Sequence, residues 1–178
     1  MLEFEKKITP NFWLAIVMVF AAAFTRLIPH PPNFTAVGAI ALFGGAYFSD
    51  KRFAFIVPIA AMLLTDLLIG FHSGMLSVYL SFVLIVGIGI LLSRNIKFRN
   101  VVAASLLSSV LFFVITNFQV WLQSSLYPKN ISGLIACYVA AIPFFHYTVL
   151  GDLFFVGILF GLFAILQAKI PLLSKVKA

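Results

Sequence analysis

Residues Val101–Leu122 read VVAASLLSSVLFFVITNFQVWL, twenty-two in a row without a charged side chain. A run of that length and character is long enough to cross the ~30 Å hydrocarbon core of a bilayer as a helix. On its N-terminal side stands Arg94-Asn95-Ile96-Lys97-Phe98-Arg99-Asn100, and on its C-terminal side Pro128-Lys129-Asn130. Apolar runs separated by charge or by Pro and Gly recur along the whole chain.

Working outward, the other runs cover about Asn11–Ile28, Phe34–Phe48, Phe53–Phe71 and Met75–Ser93. They are punctuated by Pro29-His30-Pro31-Pro32, Ser49-Asp50-Lys51-Arg52 and Gly70. After Asn130 some forty largely apolar residues remain, divided by Pro143 and the polar group His146, Thr148, Gly151 and Asp152. They are expected to form a short helix over about Ser132–Ala141 and then a last span over about Leu150–Gln167. The reading is an all-α polytopic membrane bundle: about six transmembrane helices, a short helix before the last, and one domain over residues 1–178.

Composition agrees. Of 178 residues 63% are apolar and 10% charged, with a mean hydropathy of +1.14. A water-soluble fold of this size must cover itself with more polar side chains than that. The formal charge of +7 does not point to nucleic acid, because the basic residues come singly or in small groups beside apolar runs. The apolar run from Phe12 to Phe24 follows Lys6 and Lys7 as in a signal peptide, but the next segment is just as apolar. It is therefore read as a retained first span.

Six spans with both ends in the cytoplasm put Lys6, Lys7, Lys51, Arg52, Arg94, Lys97, Arg99, Lys169, Lys175 and Lys177 inside. Arg26 and Lys129 are left outside, so ten of the twelve basic residues share one side. That asymmetry sets the expected orientation. The costly polar residues then collect on the outer side: Arg26, His30, Asn33, Asp66, His72, Asn117, Gln119, Trp121, Gln123, Tyr127, Tyr138, His146 and Asp152. Ionisable groups within spans usually face a bundle interior or a wet cavity. The expected solute-binding residues are Arg26, Asn33, Asp66, Asn117, Trp121, Tyr127, Tyr138, His146 and Asp152. Arg26 offers a fork of donors, Asp66 and Asp152 offer acceptors, Asn33, Asn117 and His146 add polar groups, and Trp121, Tyr127 and Tyr138 offer stacking faces.

Structural readings stand beside these. Arg26 with Asp66 or Asp152 suits an ion pair between helices. Asp152 after Gly151 suits a helix N-cap, Trp121 and Tyr127 suit an interfacial belt, and His30 and His72 suit inert loop positions. Ser105, Ser109, Phe113, Asn117 and Trp121 recur at i+4 and share one helix face. Gly157 and Gly161 form a GxxxG, and Ala41 and Gly45 are likewise four apart; both pairs read as packing seams. Cys137 is the single cysteine, which excludes an internal disulfide. With no HExxH, GxSxG, P-loop or Cys/His ligand set, no catalytic role, metal or other cofactor is expected.

The segments Arg26 with Pro29, Pro32–Ala39, Leu42–Ala46, Thr65–Leu67, Thr116–Phe118 with Trp121, Tyr127-Pro128, Gly133-Leu134, Cys137-Tyr138, Ile142–Phe145 and Gly151–Leu153 together carry a resemblance. The chain resembles an uncharacterised bacterial family of membrane transport proteins. In architecture that family is similar to the substrate-binding S components of energy-coupling-factor (ECF) vitamin transporters. The resemblance implies a bacterial inner-membrane protein that captures a small polar solute, such as a vitamin or cofactor precursor, from outside. It also implies a partner, a membrane coupling subunit with two ATPases. The Ala-x-x-x-Ala motif by which S components dock that subunit is missing from the first span, where Ala15 is followed by Val19 and Ala21 by Thr25. The rival expectation is a non-transporting membrane scaffold or accessory subunit.

Overall fold

The computed structural model describes residues 9–174, and those residues form helices and no strands. Lys6, Lys7, Lys175 and Lys177, used above for orientation, lie outside the described residues. Helix α1 covers Pro10–Phe24 and tightens into a 3₁₀ turn over Thr25–Leu27. Then come α2 (Val37–Tyr47), α3 (Lys51–Ile69), α4 (Met75–Leu92), α5 (Phe98–Gln123), α6 (Ile131–Lys169) and the short α7 (Pro171–Ser174). Five helices are long and apolar enough to cross a membrane. The exception among the longer ones is α2, at eleven residues.

Local chemistry explains the ends. Thr9 caps α1, accepting from Phe12 N at 3.2 Å, and Pro10 occupies a first-turn position where no amide partner is needed. Asp50 caps α3 through Arg52 N, and Asn130 caps α6 through Gly133 N. Gly70 ends α3 with φ 103°, a left-handed conformation that suits glycine.

The longer helices run to and fro between two ends of the bundle. Asn11 Nδ2 donates to the Leu173 carbonyl at 3.0 Å, so both ends of the described chain meet at one end of the bundle. That end also carries the connections at residues 48–50 and 93–97, with Lys51, Arg52, Arg94, Lys97, Arg99 and Lys169; it is called the basic end here. The opposite, proline end carries residues 28–36, 70–74 and 124–130.

Helix α2 lies at the centre, every residue from Val37 to Ala46 buried. Its closest neighbour is α4. A Cβ on Gly45 would stand 2.9 Å from Gly89 Cα, and one on Gly89 would stand 2.9 Å from Gly45 Cα. The two backbones touch where both side chains are absent, as small residues permit between membrane helices. On another side, Pro58 of α3 fills the space that a Gly44 side chain would need. Phe43 packs edge-to-face with Phe160 and Phe163 of α6, at 5.4 Å each.

The expected break near Pro143 is absent. Residues 131–169 are one helix of 39 residues, roughly 58 Å at ~1.5 Å per residue. Proline removes one backbone donor, a loss that membrane helices tolerate when neighbouring helices support them. Here α5 runs alongside: Tyr138 Oη donates to Val114 O at 2.7 Å, Cys137 Sγ to Asn117 O at 3.5 Å, and Phe113 packs on Phe145. Asp152 therefore sits inside α6 and is not its N-cap.

The Gly45–Gly89 approach makes a quantitative prediction. Gly45→Ala or Gly89→Ala forces the backbones apart and should destabilise the detergent-purified protein by ~1–3 kcal/mol, the usual range for overpacking. Gly157→Ala, whose Cβ would meet nothing within 4 Å, should stay within ~0.5 kcal/mol of wild type. Thermal unfolding of the three variants checks this.

Candidate functional site

At the proline end, α1 and α3 finish close together. Arg26, in the 3₁₀ turn, reaches α3: its Nη2 lies 2.6 Å from Asp66 Oδ1, and its Nη1 donates to Thr65 Oγ1 at 2.5 Å. The Met62 sulfur stands 3.4 Å from Nη1. Tyr79 of α4 donates its hydroxyl to the other Asp66 oxygen at 2.7 Å. Asp66 is 3% exposed and Arg26 12%. Three elements thus converge on one carboxylate, each of whose oxygens has a partner, as a buried charge requires.

A second carboxylate is held differently. Asp152 of α6 is 3% exposed, and its Oδ2 accepts from Ser109 Oγ of α5 at 2.6 Å. Its other oxygen rests against Gly38 in the first turn of α2, where a Cβ would collide with Oδ1 and stand 2.9 Å from Cγ. Gly151 makes the matching approach, since its Cβ would lie 3.1 Å from Phe34 Cα and from Thr35 N. Two glycines therefore let residues 34–38 settle onto α6 with the carboxylate between them. Among the described residues no basic side chain pairs with Asp152; the ion pair present is Arg26–Asp66.

Asp152 opens onto a cavity of 220 Å³ whose wall also includes Arg26, Asn33, Thr35, Gly38, His72 and Thr148. Beside it lies a larger cavity of 560 Å³ with Ser77, Thr116, Asn117, Gln119 and Gln123 in its wall. Asn33, Val78, Phe112 and Thr148 line both, so the two share a partition. Gln119 anchors this wall by accepting from Ser77 N at 2.7 Å and donating to Ser73 O at 2.8 Å and Gln123 Oε1 at 2.8 Å. Asn33 has φ 65°, a left-handed conformation asparagine adopts more readily than most residues. It turns the chain from the proline-rich segment into the approach to α2.

The expected site residues divide accordingly. Arg26, Asn33, Asn117 and Asp152 line the cavities, and Asp66 stands behind Arg26 as its counter-ion. Trp121, Tyr127, Tyr138 and His146 line neither cavity. Trp121 Nε1 donates to Pro128 O at 3.0 Å, and Lys129 Nζ donates to the carbonyls of Trp121 and Ser124; the indole fastens the α5–α6 turn. The Tyr138 hydroxyl is spent on Val114 O. His146 is exposed beside Tyr147, on a face of α6 away from both cavities. Along the i+4 face of α5, Ser109 meets Asp152, Phe113 and Asn117 line the larger cavity, and Trp121 leaves it for the α5–α6 turn.

Sequence reasoning missed Tyr79, an ordinary aromatic in an apolar span with no signal to mark it. It placed Ser109 on the i+4 face of α5 without a role of its own, whereas its hydroxyl is the partner of Asp152. His72 was read as inert but lines the smaller cavity, its Nδ1 accepting from Gly74 N at 3.1 Å.

A family model described as a family of unknown function, DUF6580, matches residues 6–173. The chain belongs to that family. Comparison with curated proteins and with solved structures gave no match. Members of this family share a model that spans α1 to α7 almost in full, so the cavities and both carboxylates lie inside the matched region.

Removing one partner of the buried pair should be costly and removing both much less so. Arg26→Met is expected to destabilise by ~3–5 kcal/mol, by leaving Asp66 without its cation. The double variant Arg26→Met with Asp66→Leu should recover most of that loss. Unfolding of the single and double variants in detergent, compared as a mutant cycle, measures the coupling.

Proposed function

We propose that this protein captures a small polar solute from one face of a bacterial inner membrane, as a transporter or as the solute-binding subunit of one. The observation that carries this reading is Asp152: a buried carboxylate with one hydroxyl partner and no cation, at the wall of a polar cavity. A buried charge is normally paired, and intramembrane acids mark substrate or ion paths. Arg26 faces the same cavity with donors beyond those given to Asp66 and Thr65, since a guanidinium has five. The cavity thus offers an acceptor for an ammonium or other donor and a donor fork for a carboxylate or carbonyl. Asn117 and the Ser77, Thr116 and Gln119 wall supply neutral hydrogen-bonding groups in the larger cavity.

The orientation follows from charge. Lys51, Arg52, Arg94, Lys97, Arg99 and Lys169 stand at the basic end, and Arg26 and Lys129 at the proline end. The positive-inside rule then turns the cavities outward. The resemblance to S components supports capture from outside and names a coupling subunit with ATPases as the partner class. The missing docking motif in the first span favours a protein that works without it. No catalytic chemistry is proposed.

A scaffold reading draws on a specific feature, because Arg26, Asp66, Tyr79 and Thr65 satisfy one another and could serve helix packing alone. Asp152 is the residue that reading leaves without a role.

The test is a panel of small amines, zwitterions and carboxylates screened for their effect on the melting temperature of the purified protein, with mass spectrometry of co-purified small molecules. A stabilising solute is expected for wild type, with the shift lost in Asp152→Asn and reduced in Asn117→Ala. Shifts that survive in both variants would remove the site; the absence of any shift or co-purified molecule would favour the scaffold. In a Cys137→Ala background, a cysteine at Ser125 should react with an impermeant thiol reagent from outside intact cells, and one at Asn95 should not.

A further inference from the structure

Among the described residues nothing packs onto the GxxxG of α6. A Cβ on Gly157 or on Gly161 would meet nothing within 4 Å, so the expected seam is an open trough. It forms part of a 570 Å³ cavity between α5 and α6, walled by Val101, Val102, Val156 and Phe160 with both glycines. Ile96 of the α4–α5 connection and Phe98, the first residue of α5, overhang it, Phe98 being 86% exposed. A second cavity of 490 Å³ adjoins it at the basic end, with Ser49, Lys51, Ser93 and Gln167 in its wall. Tyr47 and Ile96 line both, so an apolar slot leads past one throat into a polar vestibule.

We infer that this slot and vestibule form a binding site for an anionic phospholipid, with an acyl chain along Gly157 and Gly161 and the phosphate beside Lys51. Charge selects the headgroup. Lys97 sits between Ile96 and Phe98 at the slot's rim, and Arg94, Arg99 and Arg52 stand on the same end. Basic recesses between membrane helices attract anionic headgroups. Shape selects a chain rather than a helix: a helix with side chains is ~10–12 Å across, whereas the slot is bounded on one side by α5 and overhung by Phe98. A second copy docking through the GxxxG would need that glycine face clear of α5, as small-residue seams bring two backbones together. The site is separate from the polar cavities at the proline end and does not rest on the solute-capture reading.

The full-length protein is placed in nanodiscs of phosphatidylcholine with a minor fraction of phosphatidylglycerol, and retained lipids are counted by native mass spectrometry after release. Wild type should retain phosphatidylglycerol in preference to phosphatidylcholine. Each of Lys51→Gln and Lys97→Gln, both at exposed positions that leave the core untouched, should lower the preference by about fivefold, the equivalent of ~1 kcal/mol per basic residue near a membrane surface. Gly157→Leu with Gly161→Leu should abolish retention of the tightly held lipid by filling the slot. Each of the following results would overturn the proposal: no headgroup preference in wild type, a preference unchanged by both lysine variants, or retention unchanged in the double leucine variant. Efficient disulfide formation between copies carrying a cysteine at Gly157 would also overturn it, by assigning the trough to a second copy.

Discussion

The backbone contact of Gly45 with Gly89 places α2 at the centre of the bundle, and much else depends on that placement. Eleven helical residues rise only ~16 Å, about half of a bilayer core. The chain reaches the start of α2 through non-helical backbone from residue 28 to residue 36, exposed over 28–33 and buried by Ala36. Such backbone is tolerated in a membrane protein where it is buried in protein or borders a wet cavity. Gly38 and Gly151 show how this chain manages it, by bringing residues 34–38 directly onto α6. The short helix and the cavity beside its first turn are two aspects of one arrangement.

The two intramembrane carboxylates illustrate opposite ways of holding a charge. Asp66 is closed on itself: one oxygen takes the Arg26 guanidinium and the other the Tyr79 hydroxyl, joining α1, α3 and α4. Asp152 is left partly open, with one hydroxyl on Oδ2 and Oδ1 turned toward Gly38 and the cavity. The first arrangement serves the fold whether or not a solute binds. The second has a structural cost that a ligand's donor would offset. A network that mixes a satisfied pair with a neighbouring unsatisfied acceptor can discriminate between solutes, because a molecule without the right donor leaves the acceptor unpaired.

Helix α6 connects the two ends. Its first half is fastened to α5 by Tyr138, Cys137 and Phe145, its middle carries Asp152, and its last half turns Phe160 and Phe163 toward α2 while leaving Gly157 and Gly161 open. One unbroken helix thus borders the polar cavities at the proline end and the apolar slot at the basic end. Glycine has contrasting roles on it. Gly151 is required by a close backbone approach, whereas Gly157 and Gly161 leave room beside the helix.

By itself the sequence determined the class of the protein: charge-free runs of spanning length have few destinations other than a bilayer, and helix is the geometry that satisfies their backbone internally. It also determined the grouping of basic residues at one end, since hydropathy sets where the runs stop and the charges sit at those stops. Arg26, Asn117 and Asp152 were legible as cavity residues because polar side chains within apolar runs are expensive, and Asn33 because it closes the proline-rich turn between two such runs. Side-chain type could not tell which aromatics would face that cavity. Trp121 and Tyr138 found carbonyl partners on neighbouring backbone, and such partners are invisible to spacing. Tyr79 joined Asp66 only because α3 and α4 lie side by side. Pro143 looked like a boundary, yet the packing of α5 along α6 carried the helix through it. The GxxxG looked like a seam, yet whether small residues are covered depends on which helix lies opposite. Only the tertiary structure decided these points, because each depends on partners far away in sequence whereas the apolar runs are determined locally.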